Sequence, residues 1–118
     1  MSKILLVDDV FMARSMAERM LRHVGRYTVY SVASGAEAIA AALADPPDLI
    51  VLDISMADMD GITTLRELRS RGVTCPVVAF TSRTERSPGE FETHGFSAYI
   101  SKTGDLKALL RTVRSTIK

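Results

Sequence analysis

Three aspartates, a threonine and a lysine are the residues of this chain whose types and spacing can do chemistry. Asp8 and Asp9 follow the apolar run Ile4-Leu5-Leu6-Val7, and Asp53 follows Leu49-Ile50-Val51-Leu52. Thr81 ends Val77-Val78-Ala79-Phe80, and Ser101-Lys102 follows Tyr99-Ile100. Each run reads as a short strand that delivers a polar or charged group at its C-terminal end. In an open parallel α/β sheet those ends lie side by side, and ligands bind along that edge. Carboxylates gathered there repel one another and resist ionising. Mg²⁺ would hold them together, because it prefers oxygen ligands in octahedral geometry and keeps several waters. A carboxylate is also a nucleophile able to form an aspartyl-phosphate. Phosphoryl transfer asks mainly for in-line positioning and for neutralisation of charge on the moving oxygens. Lys102 offers a point charge for that purpose, and Thr81 a hydrogen bond to a phosphoryl oxygen.

The elements that must position these groups alternate along the chain. Residues 3–7, 28–32, 48–52, 77–81 and 97–100 read as strands. Residues 11–24 read as a helix, with Met12, Ala13, Met16, Ala17, Met20, Leu21 and Val24 at helical spacing and Arg14, Glu18, Arg19 and Arg22 opposite. On that pattern Met12, Met16 and Met20 are core, and Gly25 ends the helix. Ser34 and Glu37 form a capping box before the Ala-rich helix 35–44, and Pro46-Pro47 breaks the chain after it. Gly61 precedes a helix with Ile62, Leu65 and Leu68 on one face and Arg66, Arg69 and Arg71 on its solvated side, ending near Gly72. A fourth helix is expected between Ser82 and Gly95, but Ser87-Pro88-Gly89 falls inside it. Proline in a helix interior costs ~3 kcal/mol, so this helix should start at or after Pro88, or be short. The last helix runs from about Asp105, with Leu106, Leu109, Leu110, Val113 and Ile117 facing in. Strands this continuously apolar point to an α/β fold: a doubly wound parallel sheet covered on both faces.

The chain's 118 residues fit one domain, 1–118. Hydrophobic residues make up 47% of it, enough for a real core, and 15 Lys and Arg against 14 Asp and Glu leave a net charge of +1. That balance gives no electrostatic reason to expect nucleic acid or an anionic membrane as partner. The single cysteine, Cys75, excludes an internal disulfide and reads as a small buried thiol. No signal-peptide pattern opens the chain, and no apolar run approaches the ~18 residues of a membrane span, so a cytoplasmic protein is expected. His23 and His94 have no partners at metal-ligand spacing.

Leu6-Val7-Asp8-Asp9, Asp53 with Met59-Asp60-Gly61 downstream, Thr81 and Lys102 stand in an order and approximate spacing that resembles the response-regulator receiver domain. This is the phospho-accepting module of two-component signalling and phosphorelays, and the resemblance covers essentially the whole chain. It implies a flavodoxin-like sheet of five strands in the order 2-1-3-4-5, with five helices. It implies that Asp53 is the phosphorylation site. Asp9, Asp53 and the backbone carbonyl of Ser55 would ligate Mg²⁺, with Asp8 acting through metal-bound water. Lys102 would pair with Asp53 and then with the phosphoryl group, and Thr81 would turn its hydroxyl toward that group. Tyr99 would change rotamer as Thr81 moves, altering the face made by the fourth helix, the fifth strand and the last helix. The donor would be a phosphohistidine on a sensor histidine kinase or a histidine phosphotransfer protein, and the output a downstream protein target. The protein would be a signalling phospho-acceptor rather than an enzyme acting on a separate substrate.

The chain departs from the family pattern at several places. The family often has Met-Pro where Met56-Ala57 stands, and usually has proline after the lysine, with a cis peptide, where Thr103 stands. A cis bond without proline costs ~2.5–4 kcal/mol, so a trans bond is expected, or a cis bond strained in place. Ser82 replaces a more usual alanine, and Pro88-Gly89 disturbs the fourth helix. Ser55 and Arg83 occupy positions that influence dephosphorylation in the family. An aspartyl-nucleophile hydrolase would typically carry a second aspartate two residues after the nucleophile, but Val10 and Ser55 stand at those positions. A receiver fold used as a phosphorylation-independent interaction module is the alternative reading.

Overall fold

The apolar runs form the expected sheet. The computed structural model describes residues 2–82, 94–102 and 106–117. Strands β1 (Lys3–Val7), β2 (Thr28–Val32), β3 (Leu49–Asp53), β4 (Val77–Thr81) and β5 (Ala98–Ser101) pair in parallel in the order β2-β1-β3-β4-β5. Every residue of β3 and β4 is buried, so alternate side chains feed two separate cores. On one face Leu5, Ile50, Leu52, Val77 and Ala79 meet helices α2 (Gly35–Ala44) and α3 (Gly61–Ser70) through Ala38, Ala42, Leu65 and Leu68. On the other, Ile4, Leu6, Val51, Val78 and Phe80 meet α1 (Phe11–Arg19), its continuation Met20–Val24 and the C-terminal helix α4 (Leu106–Ile117) through Ala17, Leu21, Leu109 and Val113. No helix among the described residues is long and apolar enough to cross a membrane.

Strand limits shift by one residue from the sequence reading. Asp53 is the last residue of β3 rather than the first after it, and β5 starts at Ala98. Gly61 is the first residue of α3, behind Asp60, whose carboxylate caps the helix by accepting from Thr63 N–H at 2.8 Å. A Cβ on Gly61 would lie 2.5 Å from the Asp53 carbonyl, so only glycine lets α3 start so close to the end of β3. Most of the segment expected to hold a further helix, residues 83–93, lies outside the described residues. So do Pro88-Gly89, Arg83 and the Lys102–Thr103 bond. Four α-helices are present among the described residues.

The first helix corrects the sequence reading in two ways. It is α-helical only to Arg19 and continues as a π-helical turn, Met20–Val24. Its buried line is also narrower than the apolar stripe suggests. Ala17 and Leu21 are buried, whereas Met12 is 66% exposed, Met16 50% and Val24 55%. Only a line of small or branched residues four apart fits against the sheet, so Met12 and Met16 sit on its flank rather than in the core. Arg69 likewise is not simply solvated: it donates to the carbonyls of Val73 and Cys75, both at 2.8 Å, and closes the turn into β4.

Candidate functional site

At the C-terminal edge of the sheet, Asp8 and Asp9 follow β1, and Asp53 ends β3. One carboxylate oxygen from each of the three lies within 4.8 Å of the others. Asp8 is fully buried and Asp53 is 2% exposed, while Asp9 is exposed at the rim. The Asp8 carboxylate folds back so that Oδ1 accepts from Val10 N–H at 3.0 Å. Asp53 Oδ1 accepts from Ser55 N–H at 3.1 Å, and Asp9 Oδ2 from Ala57 N–H at 3.1 Å. Each aspartate is therefore oriented by one backbone amide.

Lys102 follows β5, where its own N–H donates to the Thr81 carbonyl at 2.7 Å. Its Nζ lies 2.6 Å from Asp8 Oδ2 and 3.2 Å from Asp53 Oδ2, and 5.4 Å above the Phe80 ring. The sequence reading pairs this lysine with Asp53; the structure has it bridge both carboxylates, closer to Asp8. Apart from this ion pair, the buried Asp8 Oδ2 has no hydrogen-bond partner among the described residues. Among the described residues three carboxylates face one ammonium, so acidic groups outnumber the lysine that pairs with them. Desolvation pushes the Asp53 carboxyl up to about 6, with Asp8 adding to the rise, against the opposing pull of Lys102 and the Ser55 N–H.

The donor set tests well against a divalent cation. Hard oxygen ligands, more carboxylates than ammonium groups among the described residues and a buried carboxylate oxygen held there only by an ion pair are what Mg²⁺ complements. Thr81 is fully buried at the end of β4, opposite Ser101 in the register. Tyr99 is half-buried two residues before Ser101, opposite Ala79, and packs with the α2–α3 core. By strand alternation Thr81 and Tyr99 lie on the same face of the sheet.

Sequence reasoning missed three contributors. Arg14, assigned to the outer face of its helix, donates to the Asp8 carbonyl at 2.8 Å and lies 5.5 Å from the Phe11 ring, which fixes the turn presenting the two aspartates. Phe80 is the floor beneath Lys102. Asp58 reaches across to the start of α2, where its two oxygens accept from Gly35 N–H and Ala36 N–H, each at 3.1 Å. The only available signal for Asp58 was an extra acid beside Met59-Asp60-Gly61.

Comparison with known proteins agrees with this geometry. A profile of the response regulator receiver domain matches residues 4–114. Response regulator MprA of Mycobacterium ulcerans is 35% identical over 119 residues, covering 98% of this chain and 50% of that protein. The chain thus spans about half the length of the curated relatives it matches. Among solved structures, chemotaxis protein CheY4 of Vibrio cholerae superposes with a TM-score of 0.88 at 29% identity over 98% of both chains. The receiver domain of the histidine kinase CKI1 from Arabidopsis thaliana, solved with Mg²⁺ and BeF₃⁻, gives 0.82 at 28% identity over 98% of this chain and 89% of that one. Sheet order, acidic edge and matched length together place the chain in the response regulator receiver domain family.

Proposed function

We propose that this domain, 1–118, is a phospho-accepting switch of a two-component system or phosphorelay, with Asp53 as the acceptor. The observation that carries this reading is the meeting of three carboxylates around the hydrogen-bond-deficient Oδ2 of Asp8, with Lys102 touching two of them. Mg²⁺ held by Asp9, Asp53 and the Ser55 carbonyl, with Asp8 acting through metal-bound water, would neutralise charge on the phosphoryl oxygens. Asp53 attacks phosphorus through a carboxylate oxygen. The P–N bond to the donor's phosphohistidine breaks as the new P–O bond forms, and its electron pair returns to the imidazole nitrogen. Lys102 releases Asp53 and follows the incoming charge; Thr81 turns its hydroxyl to a phosphoryl oxygen. Tyr99, on the same face as Thr81, passes the change to the surface of β5 and α4, where a downstream protein binds.

The donor, a sensor histidine kinase or histidine phosphotransfer protein in the cytoplasm, must bring its phosphohistidine to the open rim. A groove of about 370 Å³ runs from Lys102 along Phe80, Val10, Met12 and Met16, and its apolar wall suits a donor helix. Intact mass after incubation with acetyl phosphate and Mg²⁺ tests the assignment. One phosphoryl group should add to the wild type and none to Asp53→Asn. No gain in the wild type, with Mg²⁺ binding also absent, would overturn the reading and favour a phosphorylation-independent interaction module.

A further inference from the structure

We infer that Asp58 is a positioning residue for the metal site, holding the loop between β3 and α3 so that the amide of Ala57 orients Asp9; this rests on the Mg²⁺ reading above. The loop, residues 54–60, is fixed at its ends. Ser55 N–H is on Asp53, and Gly61 N–H donates to the Ile54 carbonyl at 2.8 Å. Its middle is held by two ties from adjacent residues that run in different directions. Ala57 N–H donates to Asp9 Oδ2 at 3.1 Å, and Asp58 spans to the Gly35 and Ala36 amides of α2. Those two amides open the helix and have no partner within it, so a carboxylate there is held both by hydrogen bonds and by the helix dipole. The same bonds keep the Asp58 carboxyl below the usual carboxylate range, with the Gly35 amide contributing most.

The tie to Asp9 exists because residue 57 is not proline. A proline there would have no N–H to give. Where a proline would stiffen the loop through its ring, this chain anchors the next residue to a neighbouring helix and uses the spared amide to orient a metal ligand. Losing a group that orients a metal ligand from behind typically costs about 10- to 100-fold in affinity.

Mg²⁺ titration by calorimetry tests this, the chain having no tryptophan to report binding by fluorescence. Asp58→Ala and Ala57→Pro should each weaken Mg²⁺ binding by about tenfold, the low end of the usual range because Asp9 lies at the exposed rim. The double variant should lose no more than the weaker-binding single, because both act through one tie. Ser34→Ala removes the other acceptor at the α2 N-terminus, the one serving Glu37 N–H at 3.1 Å, without touching the loop. It should lower the melting temperature yet leave Mg²⁺ affinity unchanged. In the metal-free protein, Asp58→Ala should also speed hydrogen exchange at the Ala57 amide. If Asp58→Ala does not fold, Asp58→Asn, which keeps one acceptor oxygen, should show a smaller loss of the same kind. Wild-type affinity in the Asp58 variants, or an equal loss in Ser34→Ala, overturns the inference while leaving the metal reading intact. A wild type that binds no Mg²⁺ overturns both.

Discussion

The two ends of the sheet solve the same electrostatic problem in opposite ways. At the N-terminal end, charged and polar side chains meet matched partners. Lys3 N–H donates to Asp48 Oδ2 at 2.7 Å, the Lys3 ammonium pairs with Asp45, the Tyr30 hydroxyl donates to the Asp45 carbonyl, and Arg69 satisfies two loop carbonyls. At the C-terminal end three carboxylates gather around one lysine that pairs with two of them, and among the described residues a fully buried oxygen has that ion pair alone. The strands and their register are common to both ends, so the backbone does not account for the difference. One end closes the fold; the other keeps charge in excess of its partners, which is a state a cation or phosphoryl group can relieve. Local rules are broken most often where a protein works.

Removing Lys102 should break the comparison most severely. Lys102→Met leaves Asp8 and Asp53 buried beside each other without a counter-charge. Breaking a buried pair in this way costs about 3–5 kcal/mol. Denaturant unfolding at neutral pH without metal should show a loss of that size, and millimolar Mg²⁺ should restore much of it. An equal loss with and without Mg²⁺ would mean that the lysine serves packing against Phe80 rather than charge.

The second effect is on pH dependence. The Asp53 carboxyl ionises near 6 in the folded chain against an ordinary value of 3.8. The folded state therefore holds this proton more tightly than the unfolded state does. Its contribution to stability is fully present below pH 3.8 and is lost as pH rises through about 6. A difference of about two pH units is worth at most about 3 kcal/mol, and less where water reaches the open rim. Unfolding of wild type and Asp53→Asn across this window, without metal, should show a stability advantage for the variant that grows toward pH 7 and shrinks toward pH 4. A constant difference at every pH would place the cost of Asp53 in packing instead.

How much of this was legible in the sequence depended on how far apart the interacting residues lie along the chain. The strands were readable because buried parallel strands are continuously apolar, and the residues that end them followed. The strand order came with the family resemblance, not from the periodicity. The face of α1 was misjudged because Met12 and Met16 obey helical spacing while the sheet has room only for Ala17 and Leu21. Ser34–Glu37 was a local signal and appears as a cap, although Glu37 reaches the amide of Ala33 rather than that of Ser34. The Asp58 tie to α2 spans 22 and 23 residues, and Arg14 serves a carbonyl six positions back. No local pattern encodes such pairings; the fold must first bring the segments together.

At the satisfied end, Arg69→Ala should cost about 2 kcal/mol, because two carbonyls lose a charged donor. Mg²⁺ affinity and phosphorylation should stay at wild-type levels, and a fall in either would show that the two ends are coupled.

The smallest effect concerns strain at that same end. Arg26 takes a left-handed conformation, φ 64°, beside a glycine that does not. Gly25 has φ −77° and is small for another reason: a Cβ there would lie 2.7 Å from Leu110 Cδ1 and 2.8 Å from the Leu21 carbonyl. Glycine is thus spent on a close approach, and the turn falls on arginine, at a cost of about 1–2 kcal/mol for a residue with a Cβ. Arg26→Gly should relieve that strain but add freedom to the unfolded chain, leaving a net gain of about 0.5–1 kcal/mol. Gly25→Ala should destabilise instead. Both are read by thermal unfolding, with Mg²⁺ affinity unchanged. A gain from Arg26→Gly would show that the N-terminal end, complete in its charges, still holds backbone strain. No gain would mean that the exposed Arg26 side chain contributes enough to offset its own conformation.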